Sequence, residues 1–302
     1  MNRKNLTAVI AALATASAVD LLAANPAVAV TLVGSTVDNR LVLFDSATPG
    51  ATTSVAVTGL TGRLLDIDLR PANNLIYGLT DTNNIYTIDP LSGVATFVSS
   101  LSAPLTSGVI GLDFNPVVDR LRVIGSDDQN LRVNVDNGAA TVDGALNPGA
   151  ITATGAAYTN ADNDPATGTT LFDLGLNSSF ISQLFIQAPP NNGTLASVGS
   201  LGFGRFAGFG TGFDIVTANG ANTAFAALFN TPNTLGASLY NINLSTGAAT
   251  ELGAIGSGFE LVTGLTAAPA TAAVPEPATM AGLALAGAGL TAARRRLKKS
   301  AG

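Results

Sequence analysis

A four-strand pattern repeats along the chain, and the number of its copies is the feature that most constrains the fold. One unit holds four short segments rich in β-branched and aromatic residues, at 65–71, 75–79, 85–89 and 95–98. Its neighbour has matching segments at 110–116, 121–124, 131–136 and 140–142. Turn residues such as Asn73-Asn74 and Asn137-Gly138 separate these segments. Antiparallel strands joined by short turns are therefore predicted.

Two less regular units follow, and then a single strand that has no unit of its own. Equivalent positions in the opening strands are 66, 111, 155, 212 and 264, with spacings of 45, 44, 57 and 52 residues. A four-stranded propeller blade takes roughly 40–50 residues. The last opening strand, at 263–269, ends the repeat region, whereas that region begins with only three strands, at 30–34, 41–45 and 54–57.

The leftover strand completes the three strands at the start. We therefore predict an all-β fold, a β-propeller of five four-stranded blades with the last blade closed by both termini, over residues 30–269. A β-sandwich of two domains is the alternative, but it leaves the single terminal strand unexplained. An open solenoid would need capping repeats, which the sequence lacks.

The N-terminal segment, 1–29, has the pattern of a secretory signal peptide. Arg3 and Lys4 precede an apolar run from Leu6 to Val19, and Ala27-Val28-Ala29 has the small-x-small pattern of a cleavage site. A separate short helix is predicted in this segment, with cleavage after Ala29. An uncleaved anchor helix is the alternative, although the run is shorter than the ~20 residues of a membrane span.

The C-terminal segment contains a proline-bounded motif, an apolar stretch and a basic end. Pro275-Glu276-Pro277 closes a linker at 270–277, residues 278–293 are apolar, and Arg294, Arg295 and Arg296 follow. A short helix over 278–293 is predicted, with its basic end in the cytoplasm. This order resembles the PEP-CTERM sorting signal of Gram-negative bacteria that make extracellular polysaccharide. The resemblance implies processing by an exosortase, with transient membrane anchoring through 278–293; a permanent anchor is the alternative.

The repeat region resembles a bacterial family called domain of unknown function 4394. The resemblance is carried by the opening strands, by Val123-Ile124-Gly125-Ser126 with the segment 129–136, and by Ala157-Tyr158-Thr159-Asn160. It covers roughly residues 30–268. The family implies no activity and no catalytic residue.

Composition removes most catalytic chemistry. The chain has no Cys, His or Trp, so it lacks the usual general base, thiolate nucleophiles and the common zinc ligands. The body at 30–273 has no Lys, seven Arg and 18 acidic residues, which disfavours nucleic acid as a partner. Its only glutamates are Glu251 and Glu260. We expect no enzyme; the alternative is a carbohydrate-active hydrolase that uses aspartates of the central channel.

One set of residues has the pattern of a site. At the same position of the five opening strands stand Asp68, Asp113, Ala157, Asp214 and Thr266. If these strands line the axis, three carboxylates and a hydroxyl converge, which suits a hard cation such as Ca²⁺. The alternative is that each Asp accepts N–H bonds from its own blade. Apart from this Ca²⁺, no cofactor is expected.

The expected function is that of an exported surface or extracellular-matrix protein. After export across the inner membrane and transient anchoring, the propeller would serve as a structural or binding module that contacts extracellular polysaccharide.

Overall fold

The computed structural model describes residues 29–149, 151–162, 164–204, 211–229 and 236–270. They form five four-stranded antiparallel sheets. The sheet that closes the ring, blade 1, takes its strands from both ends of the body. From the axis outward, the strand order in blade 1 is β20 (Val262–Ala267), β1 (Thr31–Thr36), β2 (Arg40–Asp45) and β3 (Thr48–Ala56).

Each of the other four blades is built from consecutive strands, in chain order from the axis outward. Blade 2 contains β4 (Leu64–Arg70), β5 (Leu75–Thr80), β6 (Asn84–Ile88) and β7 (Ala95–Ser100). Blade 3 contains β8 (Ile110–Asn115), β9 (Arg120–Gly125), β10 (Asn130–Asn134) and β11 (Ala139–Val142). Blade 4 contains β12 (Thr152–Tyr158), β13 (Leu171–Leu176), β14 (Ser182–Gln187) and β15 (Leu195–Ser200). Blade 5 contains β16 (Gly212–Ala218), β17 (Ala221–Leu228), β18 (Ser238–Ile242) and β19 (Ala249–Ala254).

Ring closure occurs as the strand count predicts. β20 pairs antiparallel with β1, with Leu265 opposite Gly34 and Thr266 opposite Val33. The innermost strands contact one another in the order β20, β4, β8, β12, β16 and back to β20. The five-bladed, all-β prediction is therefore confirmed, and a sandwich or an open solenoid is not formed.

Burial decreases from the axis outward within each blade. The innermost strands are almost fully buried, whereas the outermost strands are largely exposed. The apolar core consists of five clusters, each packed between two neighbouring blades. Because each blade contributes both of its faces, removing one blade would uncover two of these clusters.

One predicted boundary differs from the structure. The outermost strand of blade 1 was predicted over 54–57, but β3 begins at Thr48. Its first residues are Thr, Pro, Gly and Ala, and most of them face water, so they lack the apolar alternation on which a sequence-based prediction depends.

Two short 3₁₀ turns, Pro165–Thr167 and Pro190–Asn192, are the helical elements of the described residues. Within that part of the chain, no helix has the length and apolar character needed to cross a membrane. The predicted helices of the signal peptide and of the C-terminal segment lie outside the described residues.

Candidate functional site at the axial mouth

Three aspartates lie together at one end of the propeller axis. Asp68 on β4, Asp113 on β8 and Asp214 on β16 point toward the end at which the innermost strands finish. All three are buried, and one carboxylate oxygen from each lies within 4.8 Å of the others. They line a cavity of about 400 Å³ together with Thr266 of β20. The structure thus brings together the residues that the repeat alignment placed at equivalent positions.

Each carboxylate accepts a backbone hydrogen bond from the following blade. The N–H of Phe114 donates to Asp68 at 2.8 Å, that of Tyr158 to Asp113 at 3.2 Å, and that of Ala267 to Asp214 at 2.7 Å. The alternative that each Asp bonds within its own blade therefore describes only part of the arrangement: Asp68 and Asp214 also accept from the backbone of Leu69 and Ile215 in their own blades. The innermost strands lie close enough for one strand's side chain to reach the next strand's backbone, and the bonds from Phe114, Tyr158 and Ala267 therefore join blades.

Thr266 continues the same series between blades 1 and 2. Its hydroxyl oxygen accepts from the N–H of Leu69 at 2.9 Å and donates to the carboxylate of Asp68 at 3.0 Å. At the equivalent position, blade 4 has Ala157, whose side chain has no acceptor. The side chains at this position therefore connect neighbouring blades at four of the five junctions. The junction between blades 4 and 5 is the exception.

Burial and mutual repulsion favour the protonated forms of this trio. Burial raises the pKa of Asp68 well above its usual value, and the charge of Asp214 raises it further. Burial, and then the charges of Asp68 and Asp214, raise the pKa of Asp113 in the same way. Burial also raises the pKa of Asp214, to about 6. The trio can therefore either share protons or hold a cation, because both remove the repulsion between carboxylates.

The spacing of the three oxygens is compatible with a calcium ion. Ca²⁺–oxygen distances are about 2.3–2.6 Å, so two ligands of one ion lie no more than about 5 Å apart. The three aspartates and the hydroxyl of Thr266 are the described groups at the mouth that would hold it. The compatibility of the site with Ca²⁺ rests on this spacing of the ligand oxygens.

Asp66 is a buried carboxylate that the repeat alignment did not identify as functional. It lies on β4, two residues before Asp68, where the other four blades have Gly111, Gly155, Gly212 and Gly264. It accepts from the N–H of Leu112 at 3.0 Å and from that of Ile67 at 2.8 Å. At this level the strands touch, since a Cβ on Gly111 would lie 2.6 Å from the Cα of Gly155. The cavity is thus closed beneath the trio by backbone packing.

The loop with Asn160, Asp162 and Asp164 lies beside this mouth. Asp164 accepts from the N–H of Ala166 and caps the 3₁₀ turn, and Asp162 accepts from the N–H of Asp164 at 3.0 Å. These are local turn bonds. Asp162 also lines the cavity rim.

A second buried polar region lies between blades 3 and 4, and the sequence analysis did not find it. Asp173 on β13 is fully buried, and neither carboxylate oxygen has a hydrogen-bond partner among the described residues. Burial raises its pKa to about 8, although the charge of Arg122 lowers it in part. The signal in the sequence was an acidic residue inside an apolar strand, Leu171 to Leu176.

The predicted sorting residues lie mostly outside this geometry. Ala29 is the first described residue and is exposed. The motif Pro275-Glu276-Pro277, the apolar segment 278–293 and Arg294, Arg295 and Arg296 lie outside the described residues.

Comparison with protein families settles the membership of the chain. The family described as domain of unknown function, DUF4394, matches residues 40–266, which is most of the propeller. The chain belongs to the DUF4394 family. The PEP-CTERM protein-sorting motif matches residues 273–296. This DUF4394 chain therefore carries a signal that implies export and processing by an exosortase, as predicted. No curated protein matches the chain.

Solved structures with a similar chain path show low identity. The computationally designed Ika8 protein matches with 12% identity and a TM-score of 0.34, covering 77% of this chain and 61% of that one. A protein of unknown function from Bacteroides thetaiotaomicron VPI-5482 matches with 15% identity and a TM-score of 0.46, covering 78% and 60%. The Dos1 propeller matches with 10% identity and a TM-score of 0.39, covering 74% and 60%. The chain thus spans about 60% of the length of each of these structures.

Proposed function

We propose that the mature propeller is a non-enzymatic binding module of the cell surface or extracellular matrix, which contacts extracellular polysaccharide at its axial mouth. The observation that carries this proposal is the cavity of about 400 Å³ with three buried aspartates at its floor. Ligand sites in proteins usually measure about 300–1,000 Å³, so the cavity suits one or two sugar units.

The lining of the cavity has the chemistry that a saccharide requires. Carboxylate oxygens at the floor accept hydrogen bonds from hydroxyl groups, and Asn74, Asp162 and Thr217 add polar groups at the rim. Ile215 and Pro269 supply apolar surface for the C–H faces of a sugar ring. Because each floor carboxylate is fixed by a backbone bond from the next blade, the acceptors are held in place before a ligand arrives.

The electrostatics of the trio also define how these aspartates would act in hydrolysis. Glycoside hydrolysis needs one carboxylic acid and one ionised carboxylate, whose environments separate their pKa values. Burial raises the pKa of Asp214 to about 6 and raises the pKa values of Asp68 and Asp113 well above their usual value, so Asp214 is the carboxylate that a hydrolase would use in its ionised form. The alternative, a carbohydrate-active hydrolase that uses these aspartates, predicts cleavage in the experiment below.

When the three aspartates of the mouth are ionised, the cation that we propose they bind is Ca²⁺. The support is the spacing of the three oxygens, within 4.8 Å of one another. A bound divalent cation would offset the repulsion of the carboxylates and could itself contact sugar hydroxyls. The sorting motif supports delivery to the surface, with residues 278–293 as the proposed transient membrane anchor.

The test measures retention and cleavage separately on one polysaccharide. Extracellular polysaccharide from the producing strain is immobilised, and the purified body is passed over it with and without Ca²⁺. Ala161→Trp narrows the cavity at an exposed lining residue and should abolish retention. Ser178→Trp, at the exposed turn after β13 on the opposite end of the ring, is the matched control and should bind like the wild type. New reducing ends would support the hydrolase instead, and equal retention of both variants would contradict binding at the mouth.

A further inference from the structure

A second cavity lies between blades 3 and 4 and shares no lining residue with the axial cavity. Its volume is about 410 Å³, and three of its lining residues are arginines: Arg120, Arg122 and Arg132. Tyr158, Asn115 and Asn191 complete its polar lining. Three of the seven arginines in the body, which carries 18 acidic residues, are therefore gathered in one concave site.

The β-sheet register brings the three arginines to one face. Arg120 and Arg122 are two residues apart on β9, so their side chains leave the same side of the sheet. Arg132 on β10 is the direct cross-strand partner of Arg122, and directly opposed residues share a face. That face meets blade 4, because the N–Hε of Arg122 donates to the hydroxyl of Tyr158 at 3.4 Å.

Among the described residues, Asp143 is the carboxylate that hydrogen-bonds to this cluster, and Asp119 also acts electrostatically on Arg120. Asp143 accepts from Arg122 Nη1 at 2.8 Å and from Arg132 Nε at 2.6 Å. Burial raises the pKa of Asp143, but the hydrogen bonds from Arg132 and Arg122 outweigh it and hold the pKa below its usual value. Asp143 is thus ionised at neutral pH, and the three guanidinium groups keep an excess positive charge. The nearby carboxylate of Asp119 is bound by Arg70 at 2.6 Å and 2.8 Å.

The buried arginine of the cavity is held by several hydrogen bonds, whereas the other two arginines keep N–H groups that can donate to a ligand. Arg122 is fully buried and is also bound by the side-chain oxygens of Asn130 at 2.7 Å and Asn191 at 2.8 Å. Arg132 uses Nε and Nη2 on Asp143, which leaves its Nη1 for a ligand. Arg120 is exposed and donates one bond, to the backbone carbonyl of Asp119. Two like charges placed opposite each other destabilise a sheet, so an anion between these groups would relieve a cost that the free protein bears.

We propose that this arginine cavity binds the anionic group of an acidic saccharide, a carboxylate or a sulfate ester. Guanidinium groups pair with such planar or tetrahedral oxyanions through two parallel N–H bonds. Val118 and Pro190 in the wall supply apolar surface for the sugar ring. The site lies apart from the axial mouth, and the proposal stands independently of whether the mouth binds polysaccharide.

The test compares charged and neutral polymers on the purified body. Binding to alginate, a polyuronate, is measured by calorimetry or by retention at low salt, with dextran as the neutral control and inorganic sulfate and phosphate as competing free anions. Alginate should bind, dextran should not, and binding should weaken steeply with salt because the contact is electrostatic. Arg120→Gln and Arg132→Gln should each weaken alginate binding about tenfold, since hydrogen bonds to charged groups are the strong ones.

Two control variants at positions outside both cavities keep this test separate from general effects of substitution and from folding. Arg40→Gln removes an arginine that bonds Ser54 in blade 1 and should bind alginate like the wild type. Ser178→Trp, at the exposed turn after β13, should also leave alginate binding unchanged, and thermal melts check that each variant folds. The proposal is overturned if alginate does not bind, if dextran binds equally, if only inorganic anions bind, or if Arg40→Gln weakens binding as much as Arg120→Gln.

Discussion

Asp68 and Thr266, 198 residues apart in the chain, are joined by a 3.0 Å hydrogen bond from the hydroxyl of Thr266 to the carboxylate of Asp68. The bond connects the innermost strand of blade 2 with the strand that closes the ring. The same hydroxyl oxygen accepts the N–H of Leu69. One side chain at the C-terminal end of the fold therefore serves two purposes: it joins two blades and it orients a carboxylate of the candidate site.

Thr266→Val should destabilise the propeller without changing its shape. The substitution is close in volume but leaves the N–H of Leu69 and one oxygen of Asp68 without their partner. Each unsatisfied buried group costs about 1–3 kcal/mol, and a domain of this size loses about 2–4 °C in Tm per kcal/mol. Thermal melts should show a Tm lower by roughly 5–10 °C. Thr266→Ser keeps the hydroxyl and should lose far less; an equal loss in Ser and Val would show that the methyl group, not the hydrogen bond, matters.

Gly111→Ala should prevent close packing of β8 against β12. The added Cβ would lie 2.6 Å from the Cα of Gly155 and 2.7 Å from the backbone N of Ala156, and backbone atoms cannot move aside as a flexible side chain can. Overpacking of this kind costs about 1–3 kcal/mol or more. Denaturant unfolding is the measurement. Gly204→Ala, at a position where a Cβ meets nothing within 4 Å, should unfold at the wild-type midpoint, and a similar loss in both variants would contradict the packing argument.

The parts of this structure that sequence reasoning predicted are those with local signals. Strand alternation and turn residues define hairpins, and the unmatched strand at 263–269 showed which strand must close the ring. The partners of the aspartates were not predictable in this way. The N–H that Asp68 accepts belongs to Phe114, 46 residues away, and its position depends on how closely adjacent blades pack. The sequence therefore indicated only bonds within one blade, whereas the bonds to Phe114, Tyr158 and Ala267 cross between blades.

The arginine cavity was hidden for a related reason. The alternation of Arg120 and Arg122 is visible in the sequence, and so is their shared face. The burial of Arg122, however, depends on Tyr158 and Asn191 of blade 4, which approach it only after the ring forms. The sequence does show a basic residue inside a strand. It does not show whether that arginine is buried between blades or exposed to solvent.

Asp173 should make the stability of the fold decrease as pH rises from about 4 to 8. Its pKa is about 8 in the folded protein and about 3.9 in an unfolded chain. Between these pH values the unfolded chain releases the proton and the folded protein retains it. Raising the pH therefore stabilises the unfolded state relative to the folded state. Asp173→Asn stays neutral and should match the wild type near pH 4 but melt several degrees higher near pH 8, measured by calorimetry.

The control for this pH dependence is an aspartate outside the core. Asp127→Asn, in the exposed loop after β9, should retain the wild-type difference between pH 4 and pH 8. If Asp173→Asn also retained that difference, the proton held by Asp173 would not be its source.

Calcium should stabilise the propeller, and more so at high pH. A cation must displace protons from the trio, because burial and like charges raise the pKa of Asp68 and Asp113. At a concentration 100 times Kd, binding stabilises the folded state by about 2.7 kcal/mol. Melts in millimolar Ca²⁺ and in EDTA should differ by about 5–10 °C at pH 8 and by less at pH 5. Asp113→Asn should reduce the shift, and no shift in the wild type at pH 8 would contradict a calcium site at the mouth.

The extracellular product should lack the apolar C-terminal segment and its basic end. The sorting motif covers residues 273–296, and processing by an exosortase near Pro275-Glu276-Pro277 would separate the propeller from residues 278–302. Intact mass spectrometry of the secreted protein, from a strain that makes polysaccharide, should therefore show a body that begins after Ala29 and ends near this motif. Replacing Pro275, Glu276 and Pro277 by alanine should keep the protein in the membrane fraction, because the apolar segment and Arg294 to Arg296 would then remain attached. Pro269→Ala lies outside the motif and should be secreted normally. A secreted form that still carries residues 278–302 would show that this segment is a permanent anchor or an inert extension, and sorting by cleavage would be wrong.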